Sequence, residues 1–257
     1  VAAAPEAAAR GVLSSEAYVS LLSAAASEEE PSEALAAQSD QLRAAFGSAQ
    51  GADRYAAMEG IWAAGTTPVQ RYAAMVSTAR AAAALPVGTV VGDDPWQLLG
   101  SMLAGGYDDN AIAWVPTITV GSHAWGVLAV GSPRPLNGTT AGTVGQFSGD
   151  DDSVDFLRSK FLLAGLAGLG RIDAAAAASA ASDLEVDLGK QTRWSRAIMA
   201  AAERREPGMV ALLAAAGMQG EWSKVPPYHL YYIVRALREV GLASEARMIA
   251  AEALVRV

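Results

Sequence analysis

Ala236–Ala253, ALREVGLASEARMIAAEA, reads as a helix, a stop and a second helix. Gly241 can take the left-handed backbone that ends a helix, and Leu242 then packs back onto the turn it leaves. Ser244 is placed to cap the next helix, and Ala246 is small enough to let the two helices approach. The expected product is an antiparallel helical hairpin. Ser101–Ala111 repeats the arrangement around Gly106 with Asp109 in the capping position. Leu212–Met218 gives its first half at Gly217, and Gly165–Ala175 gives a looser version around Gly170.

Hairpins of this kind stack into α-solenoids. Ala236–Ala253 resembles the helix–turn–helix of tetratricopeptide-type repeats, with the likeness best over 226–257. The resemblance implies a scaffold that binds peptides or partner proteins, and it carries over no catalytic residue. Gly106, Gly170, Gly217 and Gly241 are 64, 47 and 24 residues apart, so the array is irregular. The expected fold is all-α: an irregular right-handed α-solenoid of about a dozen antiparallel helices in stacked hairpins. It is expected to run through 1–257 as one continuous array, with a sub-boundary at the loop 131–149.

The rest of the chain reads the same way. Ser14-Ser15 opens a helix to about Ala26, with Leu21 and Leu22 on its apolar face. The acidic run Glu28–Glu30 followed by Pro31 opens another that stops at Gly47. Gly51–Trp62 and Thr66–Leu85 follow, the second ended by Pro86. Asp93-Asp94-Pro95 should cap Trp96–Gly105, and Asp108–Trp114 and 122–130 should be short helices. Asp150–Ser153 should cap a long apolar helix to Leu169. Further helices are expected at about 173–184, 190–205, 207–217, 226–240 and 243–256. Residues 131–149, rich in Gly, Pro and Thr, read as one long loop and as the candidate lid or contact loop.

Composition agrees. Of 257 residues 57 are Ala, 52% are hydrophobic and 18% charged, which excludes disorder as the main state. There is no Cys, so disulfides, thiolate metal sites and thiol catalysis are excluded. The net charge is −8, and it is divided. Residues 1–155 hold 6 basic and 17 acidic groups, net −11; residues 156–257 hold 13 and 10, net +3. An acidic chain without a basic stripe does not suit nucleic acid. Opposite-charge halves allow a homo-oligomer. The uncharged run 110–133 is interrupted by Pro116, Gly121, Gly126 and Gly131-Ser132-Pro133, so no membrane span is expected. Alanine and arginine usage suggests a GC-rich bacterial source. The small-residue start Val1-Ala-Ala-Ala-Pro5 suggests a processed chain. The compartment stays open, with periplasmic or secreted favoured over cytoplasmic.

No catalytic set emerges: there is no Gly-x-Ser-x-Gly elbow and no P-loop. His123 and His229 lack metal-ligand spacing, and His123 reads as a buried imidazole. Asp150–Asp152 with Asp155 lacks the alternation of a calcium loop and reads as a solvated helix start. Gly165-x-x-Gly168-x-Gly170 is not a dinucleotide fingerprint and reads as close helix packing. Neither an enzyme activity, a metal nor a cofactor is expected. Tyr228, Tyr231, Tyr232 and Arg235 fall at i, i+3, i+4 and i+7 of one helix, with Arg193 and Trp194 in the same basic half. Tyr, Trp and Arg are the side chains that anchor binding surfaces. The expected function is a non-enzymatic scaffold for a protein or peptide partner, in a bacterial envelope. Two other readings stay open: a helical domain binding a small apolar ligand or lipid through 110–130 and the 131–149 loop, or the non-catalytic helical part of an envelope hydrolase.

Overall fold

The computed structural model describes residues 3–27 and 32–257. The regular structure among the described residues is helical throughout, as composition and periodicity require. The expected helix start at Glu28–Pro31 lies outside the described residues. Two compact units are formed, Val1–Thr117 with Arg256, and Ile118–Val255 with Val257.

The first unit holds α1 (Ala4–Ala9), α2 (Ser15–Ala25), α3 (Glu33–Gly47), α4 (Gly51–Ala63), α5 (Pro68–Ala83), α6 (Trp96–Ala104) and α7 (Asp108–Ile112). Helix α5 packs on α1, α2, α3, α4 and α6. Its small side chains make that possible: Ala73, Ala74, Ser77, Thr78, Ala79, Ala81 and Ala82 are all buried. The buried hydroxyls are satisfied. Trp62 Nε1 donates to Thr78 Oγ1 at 2.8 Å, Thr78 lies 3.0 Å from Ser101 Oγ, and Ser101 donates to the Met75 carbonyl at 2.7 Å. This network ties α4, α5 and α6 together. Helix α6 starts differently from its reading. Pro95, rather than Asp93 or Asp94, occupies the cap position, and the Trp96 N–H turns back to the Asp94 carbonyl.

The second unit holds α8 (His123–Gly131), α9 (Ala141–Gly149), α10 (Leu157–Leu169), α11 (Ala174–Asp183), α12 (Arg193–Glu203), α13 (Pro207–Gly217), α14 (Pro227–Glu239) and α15 (Ala243–Val255). From Phe161 onward helix α10 is apolar on all sides, and the helix packs on α8, α9, α11, α14 and α15. A helix of that composition belongs in a core. Its glycines permit the contacts. A Cβ on Gly168 would lie 2.9 Å from the Tyr231 carbonyl oxygen and from Val234 Cβ, and one on Gly165 would lie 3.1–3.2 Å from Val130 and Ala250. Two arginines close the end of α8: Arg171 donates to the Ala129 and Ser132 carbonyls, and Arg247 to Gly131. Burial, then the neighbouring Arg247, bring the Arg171 guanidinium down to about 10.

The turns read from sequence at Gly106, Gly170 and Gly241 are present. Each residue has positive φ, and the same pair of backbone hydrogen bonds closes each helix. Glu185 and Arg205 fill this position without being glycine, at φ of 51° and 55°. Gly217 does not fill it. It lies in the last turn of α13 with an ordinary helical backbone, and its missing Cβ leaves room for the Trp194 ring. Ser244 lies inside α15, which begins at Ala243, rather than at its cap, and its hydroxyl donates to Glu245.

The reading of 131–149 as one long loop is corrected. Ala141–Gly149 is helical despite its glycines and threonines. Thr140 and Thr143 form a reciprocal capping box, and Val144 and Phe147 are buried, so tertiary burial overrides weak local propensity. The start of α10 also differs: Asp155 and Phe156 take left-handed backbone before the helix begins at Leu157. Asp151 then accepts from the backbone N–H groups of Ser153 and Ser159, doing the capping from a distance.

Candidate functional site

Helix α14 begins at Pro226-Pro227, where fixed φ suits a first turn. Its inner face, Leu230, Ile233, Val234 and Leu237, is buried, with α10 packed against the helix. That leaves Tyr228, Tyr231 and Arg235 half-buried at the rim. Tyr232 is the exception and corrects the reading of four aligned anchors. It is 4% exposed; its hydroxyl donates to the Gly189 carbonyl at 3.1 Å and accepts from Gln191 Nε2 at 2.9 Å. Burial, with Tyr231 adjacent, pushes its phenol up. Tyr232 therefore fastens the 187–191 segment and is not a surface anchor.

At the rim, Arg235 bridges two neighbours on its own helix. Its Nη1 donates to the Tyr231 hydroxyl at 3.1 Å and its Nε to Glu239 at 2.8 Å. The Glu239 bond comes first in holding the guanidinium above its ordinary range. The spacing is that of i,i+4 pairs on a helix surface. The edge thus presents an ordered tyrosine–arginine–glutamate ladder.

Toward the start of α14 three helices converge. The His229 ring stacks on Trp194 with centroids 4.2 Å apart, and its Nδ1 lies 3.0 Å from the Gly217 carbonyl oxygen. Trp194 Nε1 donates to the Leu213 carbonyl at 2.9 Å. Tyr228 meets His229 edge-on at 4.7 Å, and Lys190 Nζ sits 5.5 Å from the Tyr228 centroid. A cation over an aromatic face is attracted by the ring quadrupole. Arg193, beside Trp194, is exposed. Among the sequence-derived candidates, the structure places Tyr228 and Trp194 in one cluster, and Tyr231 and Arg235 in one ladder.

Two members of the cluster, Lys190 and His229, lay outside the sequence-derived set. The i,i+3,i+4 rule finds partners along one helix; Lys190 precedes α12 and meets Tyr228 only through packing. The arrangement offers flat aromatic surface, hydroxyls and cations, which suit recognition of a peptide chain. The acidic segment offers no convergent site. Asp151 is taken by Ser153 and Ser159, Asp152 by Arg158 at 2.9 Å, and Asp155 by Lys160 at 2.7 Å. Among the described residues no group of three or more His, Asp or Glu is placed to hold a metal ion. His123 is half-buried at the start of α8, edge-on to Phe147 at 5.1 Å. Residues 124–130, part of the 110–130 run assigned to a ligand pocket in one sequence reading, are buried, and α8 packs against α10 and α15. Among the described residues no helix is long and apolar enough to cross a membrane. No family model, curated protein or solved structure matches the chain.

Proposed function

We propose that this chain is a non-enzymatic helical scaffold that binds a protein or peptide partner through the rim of α12 and α14. The observation that carries the reading is the cluster of Trp194, His229, Tyr228 and Lys190, three elements contributing aromatic faces and a cation to one place. Tyr231 and Arg235 extend it along α14, and Arg193 extends it along α12. Half-buried aromatics lose little side-chain freedom on binding, and cations at the edge select the partner's charge. Helices joined by left-handed caps are read as hairpins. The packing of α15 on α8 and α10 favours hairpins gathered round a central helix over an extended right-handed solenoid.

The test is a tagged pull-down from the source organism with wild-type protein and a Tyr231→Ala/Arg235→Ala double variant. A stoichiometric partner held by wild type and lost by the double variant, with unchanged circular dichroism, supports the reading. A partner held equally by both removes this surface. No partner in any fraction overturns the scaffold.

A further inference from the structure

The fold uses most of the polar atoms that its rim aromatics carry. Trp194 Nε1 donates to the Leu213 carbonyl at 2.9 Å, and the Tyr231 hydroxyl accepts from Arg235 at 3.1 Å. The Tyr232 hydroxyl is held by Gly189 and Gln191. Two atoms at the start of α14 are left over. Neither the Tyr228 hydroxyl nor His229 Nε2 has a hydrogen-bond partner among the described residues, and neither atom is enclosed. A polar atom enclosed without a partner is costly, so these two stand where a group from outside can meet them.

The bond made by His229 decides what that group must offer. Nδ1 lies 3.0 Å from the Gly217 carbonyl oxygen, which only accepts. Nδ1 therefore carries the proton, and in the neutral ring the lone pair is on Nε2. That acceptor is fixed in direction. The ring stacks on Trp194 at 4.2 Å and meets Tyr228 edge-on at 4.7 Å. Trp194 is itself tied to the Leu213 carbonyl. On the neighbouring residue the Tyr228 hydroxyl is able to donate, and its ring is held beside Lys190 Nζ, 5.5 Å from the centroid. An acceptor set in advance costs less to order when a partner arrives.

An acceptor and a donor on adjacent residues suit a group that offers one of each. A carboxylate offers acceptors only, and an ammonium donors only. A residue of extended chain offers both, because its own N–H and C=O point to the same side, as they do toward a neighbouring strand. Within a helix those groups are bonded to each other and are not on offer. We infer that Tyr228 and His229 recognise the backbone of an extended segment of the partner, His229 Nε2 accepting its N–H and the Tyr228 hydroxyl donating to its carbonyl. The inference rests on the partner-binding reading above and names what that rim recognises.

The experiment uses the full chain and the partner captured in the pull-down. Nitrogen NMR of the neutral His229 ring should show a proton on Nδ1 and none on Nε2; a proton on Nε2 overturns the inference before any partner is added. Tyr228→Phe removes only the hydroxyl and should weaken the partner about two- to tenfold, the effect of one hydrogen bond, without moving the urea midpoint. His229→Asn keeps a donor where Nδ1 stood and loses Nε2, whereas His229→Gln carries an acceptor toward the Nε2 position. His229→Asn should therefore bind about two- to tenfold more weakly than His229→Gln, both having lost the ring stack. Wild-type affinity in Tyr228→Phe, or equal affinity in the two His229 variants, overturns the inference. A peptide copying the partner segment that cross-links to this site, N-methylated at one residue at a time, should lose binding at one backbone position. Loss on replacing an Asn or Gln side chain instead overturns the backbone assignment in favour of a side-chain amide. If Tyr231→Ala/Arg235→Ala releases the partner while Tyr228→Phe does not, the inference is wrong and the rim reading stands. A wild-type chain that captures no partner overturns the rim reading and this inference with it.

Discussion

Helices α12 and α13 are each eleven residues long and pack against each other, yet they follow opposite plans. Helix α12 sorts its side chains: Ser195, Ile198, Ala201 and Ala202 face inward, while Arg193, Arg196 and Glu203 face water. Helix α13 buries Val210, Ala214 and Gly217 but leaves its outer arc equally apolar. Sorting explains α12 fully as a surface helix of a folded unit. Nothing in folding alone requires Leu212 to be exposed, since an exposed apolar side chain gains no burial. The difference separates residues that hold the unit together from an apolar arc that folding leaves exposed.

The comparison is broken most directly at Ile198, which is 0% exposed in α12. Ile198→Ala should cost about 2–4 kcal/mol, combining lost burial with the cavity left behind. The readout is the urea midpoint at constant slope. A smaller effect is expected at the seam. Gly217→Ala places a methyl inside van der Waals contact of Trp194 Cζ2, so the indole must move from the Leu213 carbonyl and from the His229 stack. Overpacking of this kind costs about 1–3 kcal/mol, and near-ultraviolet circular dichroism should lose tryptophan signal with it. An unchanged midpoint and spectrum would mean that α12 and α13 are not tightly joined.

Legibility in the sequence followed the range of the interactions. The αα turns at Gly106, Gly170 and Gly241 are local, and their residues announced them. Glu185 and Arg205 make the same turn with no glycine to mark it, because the closing backbone bonds do not depend on the side chain. Gly217 misled for the opposite reason: its role is a long-range clearance for Trp194, which no local pattern records. Helix α9 was hidden because Phe147 is stabilised by burial that its glycine- and threonine-rich neighbours do not predict. In the candidate site the α14 spacing located Tyr228, Tyr231 and Arg235 but could not say that Tyr232 turns inward. The hydrogen bonds that decide it come from Gly189 and Gln191, more than forty residues earlier.

The smallest expected effect carries the sharpest test of the comparison. Leu212 and Ile198 are both branched aliphatic residues within helices, and truncation to Ala removes a similar volume from each. Leu212 is already 64% exposed, so its truncation opens no cavity, and Ala is at least as good a helix former. Leu212→Ala should therefore change stability by less than about 0.5 kcal/mol in the same urea measurement. A cost approaching that of Ile198→Ala would mean that α13 has a covered outer face within the isolated chain, and the apolar arc would then be core. A negligible cost would show Leu212 dispensable to the fold where Ile198 is required by it.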